Sequence, residues 1–142
     1  MSSKVVCGLA AIMVVGTLGS GAVTAFANNY GDTPYQFSFD YGNTCQTETR
    51  WKDDTSAAFM NCQSCDGNDF GYTAYVFGSW DESKSGSVCC SDRRSIHAGN
   101  AYLLSNSVYQ DRNYAYFYGE LNANDAVGYS GLWSPDNYEC YQ

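Results

Sequence analysis

The stretch YQFSFDY, residues 35–41, alternates large aromatic side chains with polar ones. Successive side chains of a β-strand point to opposite faces, so the four aromatic residues share one face and Gln36, Ser38 and Asp40 share the other. This pattern predicts a strand with one buried and one solvated face. No segment after residue 27 repeats its apolar residues with helical periodicity over a useful length, so we expect an all-β protein.

Further β-prone segments follow at intervals of about 8–15 residues, separated by turn-forming residues. They cover 45–51, 56–62, 72–77, 87–90, 101–104, 114–118 and 125–133. Segment 91–100 is predicted to be irregular, and 105–113 to be a loop or one helical turn. The spacing indicates an antiparallel β-sandwich of about seven or eight short strands. In the last strand, Trp133 shares a face with Val127 and Tyr129, and this face is predicted to be buried.

The first 27 residues have the three parts of a secretory signal peptide. Lys4 supplies the positive charge, an apolar run follows, and Ala25-Phe26-Ala27 matches an A-x-A cleavage site. The apolar run is shorter than the roughly 20 residues that a spanning helix needs, so no membrane anchor is expected. We therefore predict a cleaved signal peptide at 1–27 and a single secreted, extracellular domain at 28–142, with residues 28–34 as a loose arm.

The charge balance argues against two classes of partner. The full chain has a net charge of −8, which becomes −9 without Lys4. Such a chain is repelled by phosphate backbones and by anionic membranes, so neither nucleic acid nor a membrane surface is an expected partner. The acidic excess itself favours solubility, and we expect a monomer.

Six cysteines remain after the predicted cleavage. They are Cys45, Cys62, Cys65, Cys89, Cys90 and Cys140. A C-x-x-C pair followed by two adjacent cysteines is compatible with a zinc site, a redox pair or a disulfide framework. An even number of cysteines in an exported chain favours structural disulfides, so neither a metal nor another cofactor is expected.

The spacing of the cysteines suggests which of them pair. Cys89 and Cys90 are adjacent, and a bridge between neighbours strains the peptide, so each should reach a different partner. Cys62 and Cys65 are the nearest candidates, which leaves Cys45 to pair with Cys140. Closing a loop of that length would stabilise the fold by about 4–5 kcal/mol in the chain-entropy model.

No catalytic constellation is visible. His97 is the only histidine, and general acid–base chemistry needs a second converging group, for which the choice of Glu48 or Glu120 would be arbitrary. Ser134 does not lie in a nucleophile motif. We therefore predict no catalytic residues. Oxygen atoms of Asp66, Asn68 and Asp69 are compatible with calcium, but their order is not that of an EF-hand, and a solvated turn is the simpler interpretation.

Aromatic residues are the most informative feature for function. The chain has 13 tyrosines and three tryptophans. In strand 114–118, Tyr114, Tyr116 and Tyr118 share one face while Ala115 and Phe117 share the other. If the smaller, more apolar face packs inward, a row of tyrosines faces outward. We take this row, with Trp80 in a polar loop, as a candidate binding surface, the alternative being cross-strand packing under loops.

Two motifs carry a resemblance to a known family. KDDTSAAFMNC at 52–62 and GLWSPD at 131–136 resemble the domain-of-unknown-function 2712 family of small secreted proteins from Gram-positive bacteria. The shared pattern is a K-x-D-T-S stretch leading to a cysteine, a second cysteine half a domain later, and a W-S-P-D ending. Cys45 and Cys140 depart from this pattern. The resemblance implies no established activity. Size, export and Tyr/Gly composition are also similar to lactococcin-type bacteriocins, although the acidic charge argues against that link.

The sequence thus predicts a secreted, non-catalytic protein that binds an extracellular protein or glycan. A small secreted hydrolase and a bacteriocin-like toxin are the alternatives. The hydrolase would need His97 to face a cleft with two carboxylates.

Overall fold

The computed structural model of the chain describes residues 31–137, together with the backbone of two short strands at 5–6 and 139–140. The strands are β1 (Val5–Val6), β2 (Thr33–Asp40), β3 (Thr44–Gln46), β4 (Arg50–Trp51), β5 (Ala58–Cys65), β6 (Tyr72–Ser79), β7 (Val88–Cys89), β8 (Arg94–Ile96), β9 (Asn100–Leu104), β10 (Tyr114–Leu121), β11 (Ala126–Ser134) and β12 (Glu139–Cys140). One short helix, α1 (Val108–Asp111), precedes β10. The predicted signal peptide lies outside the described residues, apart from the backbone of β1.

Two antiparallel sheets form the domain. The four-stranded sheet has the order β2-β11-β5-β9. The six-stranded sheet is built on the long pair β10-β6, with β3 and β4 sharing the free edge of β10 and β7 and β8 sharing that of β6. β1 pairs with β12 in a separate two-stranded ladder. The all-β prediction is confirmed. The strand count is higher than expected because 45–51 splits into β3 and β4, 91–100 contains β8, and β1 and β12 form an additional pair.

The hydrophobic core fills the space between the sheets. Tyr35, Phe37 and Phe39 of β2 are buried, and the residues between them are exposed, as the alternation of this segment predicts. The six-stranded sheet contributes Tyr72 and Phe117 from its inner face. Aromatic rings in this core meet mostly edge to face, for example Phe37 and Tyr72 at a centroid separation of 5.5 Å. In β11, Val127 and Tyr129 are buried and Gly128 and Ser130 are partly exposed, which confirms the predicted register of the last strand, and Trp133 on the same face is fully buried.

The N-terminal end of the domain is less loose than predicted. Asp32 and Thr33 are buried, and β2 begins at Thr33. The structure describes only part of the predicted 28–34 arm. That part belongs largely to the sandwich, because Thr33 pairs with Trp133 of the central strand β11.

The predicted disulfides are not formed among the described cysteines. Cys45, Cys62, Cys65, Cys89 and Cys90 are free thiols. The expected pairing of Cys62 and Cys65 with Cys89 and Cys90 is wrong, because these thiols meet other groups. The thiols of Cys65, Cys89 and Cys90 donate to carbonyls close to them in the chain, and Cys62 lies beside the hydroxyls of Tyr35 and Tyr72. The Cys45 thiol, expected to bind Cys140, donates a hydrogen bond to the carbonyl of Ser38 at 3.4 Å. The side chain of Cys140 lies outside the described residues.

None of the helices in the described segments has the length and apolarity that crossing a bilayer requires.

Candidate binding face

The outer surface of the six-stranded sheet carries a row of aromatic side chains. In β10, Ala115 and Phe117 are buried against the core, so the alternating tyrosines at 114, 116 and 118 point away from it. In β6 the buried residues are Tyr72, Ala74 and Val76, which places Tyr75 and Phe77 on the same outer surface. We call Tyr75, Phe77, Tyr116 and Tyr118 the aromatic face.

The strand register brings these four rings together. Tyr116 lies directly opposite Phe77, and Tyr118 lies opposite Tyr75. Ring centroids are 5.7 Å apart for Phe77 and Tyr116, 5.1 Å for Phe77 and Tyr118, and 6.3 Å for Tyr75 and Tyr118. The first two pairs are tilted by only 33° and 39°, so these rings form a shallow platform. At one end of β10, Trp51 and Tyr114 form a separate edge-to-face pair at 5.3 Å.

The loop from Trp80 to Gly86 covers part of the aromatic face. Lys84 places its ammonium 4.5 Å from the centroid of the Tyr116 ring. The same ammonium donates hydrogen bonds to Gln46 Oε1 at 2.8 Å and to the carbonyl of Thr47 at 3.0 Å. Partial burial lowers the pKa of Lys84. Tyr116 is consequently only 3% exposed, whereas its neighbours in the row keep part of their rings in solvent.

The covering loop holds its shape through one carboxylate. Asp81 Oδ1 accepts hydrogen bonds from the backbone of Ser83 and Ser85, and Oδ2 accepts one from the hydroxyl of Ser85. The hydroxyl of Ser83 also donates to Oδ1 at 2.6 Å. The bonds from the Ser83 and Ser85 hydroxyls, with those from the backbone amides, favour the ionised form and lower the pKa of Asp81 to about 2. The backbone of Trp80 also pairs with that of Ser85 at 3.0 Å. The fixed shape of this loop therefore places Lys84 over the ring of Tyr116.

The structure brings together three of the four predicted surface residues. Tyr114, Tyr116 and Tyr118 lie in one row, but Trp80 contacts Arg112, whose guanidinium lies 4.2 Å from the indole centroid. Trp80 is 52% exposed. Sequence reasoning missed Tyr75 and Phe77, although the alternation of YTAYVF at 72–77 carries the same signal as that of β10.

His97 belongs to a different cluster. Its Nδ1 lies 3.3 Å from Asp69 Oδ1, and that oxygen also accepts a hydrogen bond from the hydroxyl of Tyr129 at 2.9 Å. Desolvation is the largest single effect on the pKa of Asp69 and raises it. Hydrogen bonds from Tyr129, Ala98 and His97, together with the charge of His97, outweigh desolvation, so the pKa of Asp69 is lowered. Among the described residues His97 contacts one carboxylate rather than the two that the hydrolase alternative requires.

The His97 cluster has a structural role at the turn before β6. Gly71 adopts a φ of +75°, and an added Cβ would lie 2.6 Å from the His97 ring. The amide of Gly71 donates to Tyr129 at 3.0 Å and to Asp69 at 3.2 Å. The cluster therefore fixes a tight left-handed turn against β11.

The carboxylates considered for calcium are occupied by protein donors. Asp66 Oδ1 accepts the amide of Gly128 at 2.6 Å, and Asp69 is engaged by Tyr129 and His97. Within residues 31–137 no three His, Cys, Asp or Glu side chains are grouped as a metal site would need.

The two motifs that carry the family resemblance meet inside the protein. Lys52, at the start of KDDTS, and Asp136, at the end of WSPD, form a fully buried ion pair with an Nζ–Oδ1 distance of 2.6 Å. Asp136 Oδ2 also accepts the amide of Asp53 at 2.8 Å, and the hydroxyl of Ser56 accepts the amide of Asn137 at 2.9 Å. The motifs have a structural role, because the buried ammonium of Lys52 and the carboxylate of Asp136 find their hydrogen-bond partners within the two motifs.

Comparison with known proteins identifies the family of the chain. No curated protein and no solved structure matches the chain. The model of the family described as "Protein of unknown function (DUF2712)" matches residues 23–137, which include both motifs and every strand from β2 to β11. The chain therefore belongs to the DUF2712 family.

Proposed function

We propose that the chain is a secreted, monomeric, non-catalytic protein that binds an uncharged glycan through its aromatic face. The observation that carries this proposal is the row of rings on the outer surface of the six-stranded sheet, where a solvated antiparallel sheet ordinarily presents polar side chains. Tyr75, Phe77 and Tyr118 remain partly exposed beside the covered Tyr116 and offer the accessible part of this surface. The three-part pattern of the first 27 residues supports secretion.

The chemistry of the aromatic face suits sugar rings. The face of an aromatic ring carries a partial negative charge, and the C–H groups on one side of a pyranose are weakly positive, so the two stack. Phe77 and Tyr118 are tilted by 39° at 5.1 Å, which offers neighbouring surfaces to successive sugar units. Tyrosine adds hydroxyl groups for hydrogen bonding, and Gln46 pairs with Tyr118 on the adjoining strand.

The charge of the chain favours an uncharged glycan over an anionic one. A net charge of −8 repels anionic wall polymers. Lys84 is a cation that contacts the aromatic face, and it is already bound to Gln46 and Thr47.

The proposal is tested by titrating the purified protein with a panel of neutral and anionic polysaccharides in a calorimeter. Tyr118→Ala should weaken binding to the neutral ligand about tenfold, corresponding to the roughly 1.4 kcal/mol that a good aromatic contact supplies. Tyr109→Ala is the matched control, because Tyr109 is 50% exposed on α1 and outside the aromatic face. Equal affinities of the two variants would overturn the proposal.

The same samples distinguish the alternatives. Release of reducing ends from any polysaccharide would support the hydrolase, and killing of indicator bacteria by the unmodified protein would support the toxin. Binding to a protein but to no polysaccharide would keep the aromatic face as an interface and overturn the glycan as its ligand.

A further inference from the structure

A β-bulge in β5 places both cysteines of the C-x-x-C motif on one face. Cys62 lies opposite Gly131 of β11, Ser64 lies opposite Ser130, and Gln63 has no partner. Residues three apart on a regular strand point to opposite faces, and the extra residue of a bulge cancels that reversal. Cys65 therefore lies opposite Tyr129 and points inward, as Cys62 does.

The two thiols differ in their access to solvent. Cys62 is fully buried beside the hydroxyls of Tyr35 and Tyr72. Cys65 packs against the same core but is partly exposed, and it lines a pocket of about 250 Å³ that opens to solvent beside Asp66. Burial raises the pKa of the Cys62 thiol, and the neighbouring Asp69 and Cys65 raise it further. Reagents from solvent therefore meet Cys65 first.

The strand geometry sets the distance between these cysteines. Cys62 and Cys65 face residues two apart on β11, so their Cα atoms span about 6.6–6.8 Å, the advance of two residues along a strand. Disulfides join Cα atoms about 4.4–6.8 Å apart, and bonds at the limits of that range are strained and more easily reduced. A bond between these two sulfurs also needs Cβ atoms about 3.5–4.5 Å apart, so the bulged strand must bend locally for the two side chains to converge. The resulting bond is strained and easily reduced.

We propose that Cys62 and Cys65 form a reversible disulfide within β5, which is made and broken through Cys65. This assignment is independent of the proposed glycan binding. The structure holds the reduced form.

The oxidant is a low-molecular-weight disulfide. The thiolate of Cys65 attacks one of its sulfurs, forms a mixed disulfide and releases one small thiol. The thiolate of Cys62 then attacks the sulfur of Cys65, which forms the internal bond and releases the second small thiol. Two electrons and two protons pass from the protein dithiol to the small disulfide, and a dithiol reductant reverses both steps.

Trypsin isolates this pair from the other cysteines. Cleavage after Lys52 and Lys84 yields peptide 53–84, which contains only Cys62 and Cys65, while peptide 85–93 contains Cys89 and Cys90. After treatment of the folded protein with oxidised glutathione, peptide 53–84 should be two hydrogens lighter and should not react with iodoacetamide. After dithiothreitol it should carry two alkyl groups. A link to peptide 85–93, or two thiols that survive oxidation, would overturn the proposal.

Single variants test the order of the steps. Cys62→Ser should accumulate a glutathione adduct on Cys65, because no resolving thiol remains. Cys65→Ser should leave Cys62 unmodified for as long as circular dichroism shows the protein to be folded. Cys90→Ser is the control and should form the internal disulfide as the unmodified protein does. Glutathione on Cys62 in the folded Cys65→Ser variant would contradict the role assigned to Cys65.

Discussion

Lys52 and Asp136 lie 84 residues apart in the chain, and their side chains form an ion pair of 2.6 Å with neither exposed to solvent. The ammonium of Lys52 also donates to the carbonyls of Pro135 at 2.9 Å and Ser56 at 2.5 Å, so all three of its protons are used. Burial raises the pKa of Asp136, and the bond to Lys52 opposes that rise. This ion pair joins the segment that follows β4 to the segment that follows β11.

Removal of one partner should be strongly destabilising. Asp136→Ala leaves the ammonium of Lys52 buried without a counter-charge, which typically costs about 3–5 kcal/mol in the free energy of unfolding. The double variant Lys52→Met with Asp136→Leu should recover much of that loss, because it leaves no buried charge. Urea denaturation measures both. A loss below about 1 kcal/mol for Asp136→Ala would show that solvent reaches Lys52.

Asp32 should make stability depend on pH. It is fully buried, and no well-formed hydrogen bond reaches its carboxyl oxygens, since the nearby Ser134 hydroxyl donates to the carbonyl of Asp136. Burial raises the pKa of Asp32 to about 6, although the proximity of the Ser134 hydroxyl and the charge of Arg50 oppose that rise. Folding raises this pKa, so the folded state holds the proton more tightly. The contribution to stability is therefore full below about pH 4 and is lost as the pH rises towards 6.

The variant Asp32→Asn isolates this effect. A shift of about two pKa units corresponds to at most about 3 kcal/mol. The unfolding free energy of the unmodified protein, relative to that of Asp32→Asn, should fall by up to this amount between pH 4 and pH 7. The other carboxyl groups titrate in both proteins, so their contributions to the pH dependence of the unfolding free energy cancel in this comparison. Parallel pH profiles for the two proteins would show that Asp32 ionises normally.

Trp133 and Trp80 should respond differently to truncation. Trp133 is fully buried and meets Phe117 edge to face at 5.7 Å, whereas Trp80 is 52% exposed. Trp133→Ala should lower the unfolding free energy by about 3–5 kcal/mol. Trp80→Ala should lower it by less than about 1 kcal/mol, since it loses mainly the contact with Arg112. Equal denaturation midpoints would contradict the burial of Trp133.

Gly131 should tolerate no side chain. A Cβ at this position would lie 1.9 Å from the carbonyl oxygen of Asn61, because the bulge brings the backbone of β5 against β11. Gly131→Ala should lower the unfolding free energy by more than about 1–3 kcal/mol, the usual range for overpacking. At Gly67 a Cβ would meet Val127 at an ordinary 3.4 Å. Gly67→Ala should therefore change stability little, and similar losses for both variants would argue against the bulge.

The alternation of side chains along the sequence was sufficient to predict the strands that have one face towards the core. The pattern at 35–41 corresponds to β2, and the pattern at 114–118 correctly separated inward Phe117 from outward Tyr116. These assignments succeed because a strand has a fixed period of two and each face meets one environment.

Features that depend on the partner strand were not predictable. The bulge that turns Cys65 inward exists because Gly131 of β11 lets the backbone of β5 approach it. Lys52 lies between the predicted strands 45–51 and 56–62, and nothing near it in the chain reveals the carboxylate of Asp136. The aromatic face likewise needs the register between β6 and β10, which places Phe77 beside Tyr116.

The ion pair of Lys52 and Asp136 also has a consequence for the time course of folding. During synthesis, Lys52 leaves the ribosome long before Asp136, and β2 likewise waits for β11, which pairs with it along eight residues. The nascent chain can neither neutralise the ammonium nor complete the four-stranded sheet until almost all of it has been made. Contacts of such long sequence separation slow folding. The domain should therefore fold in a single late step after translation, with no stable N-terminal intermediate.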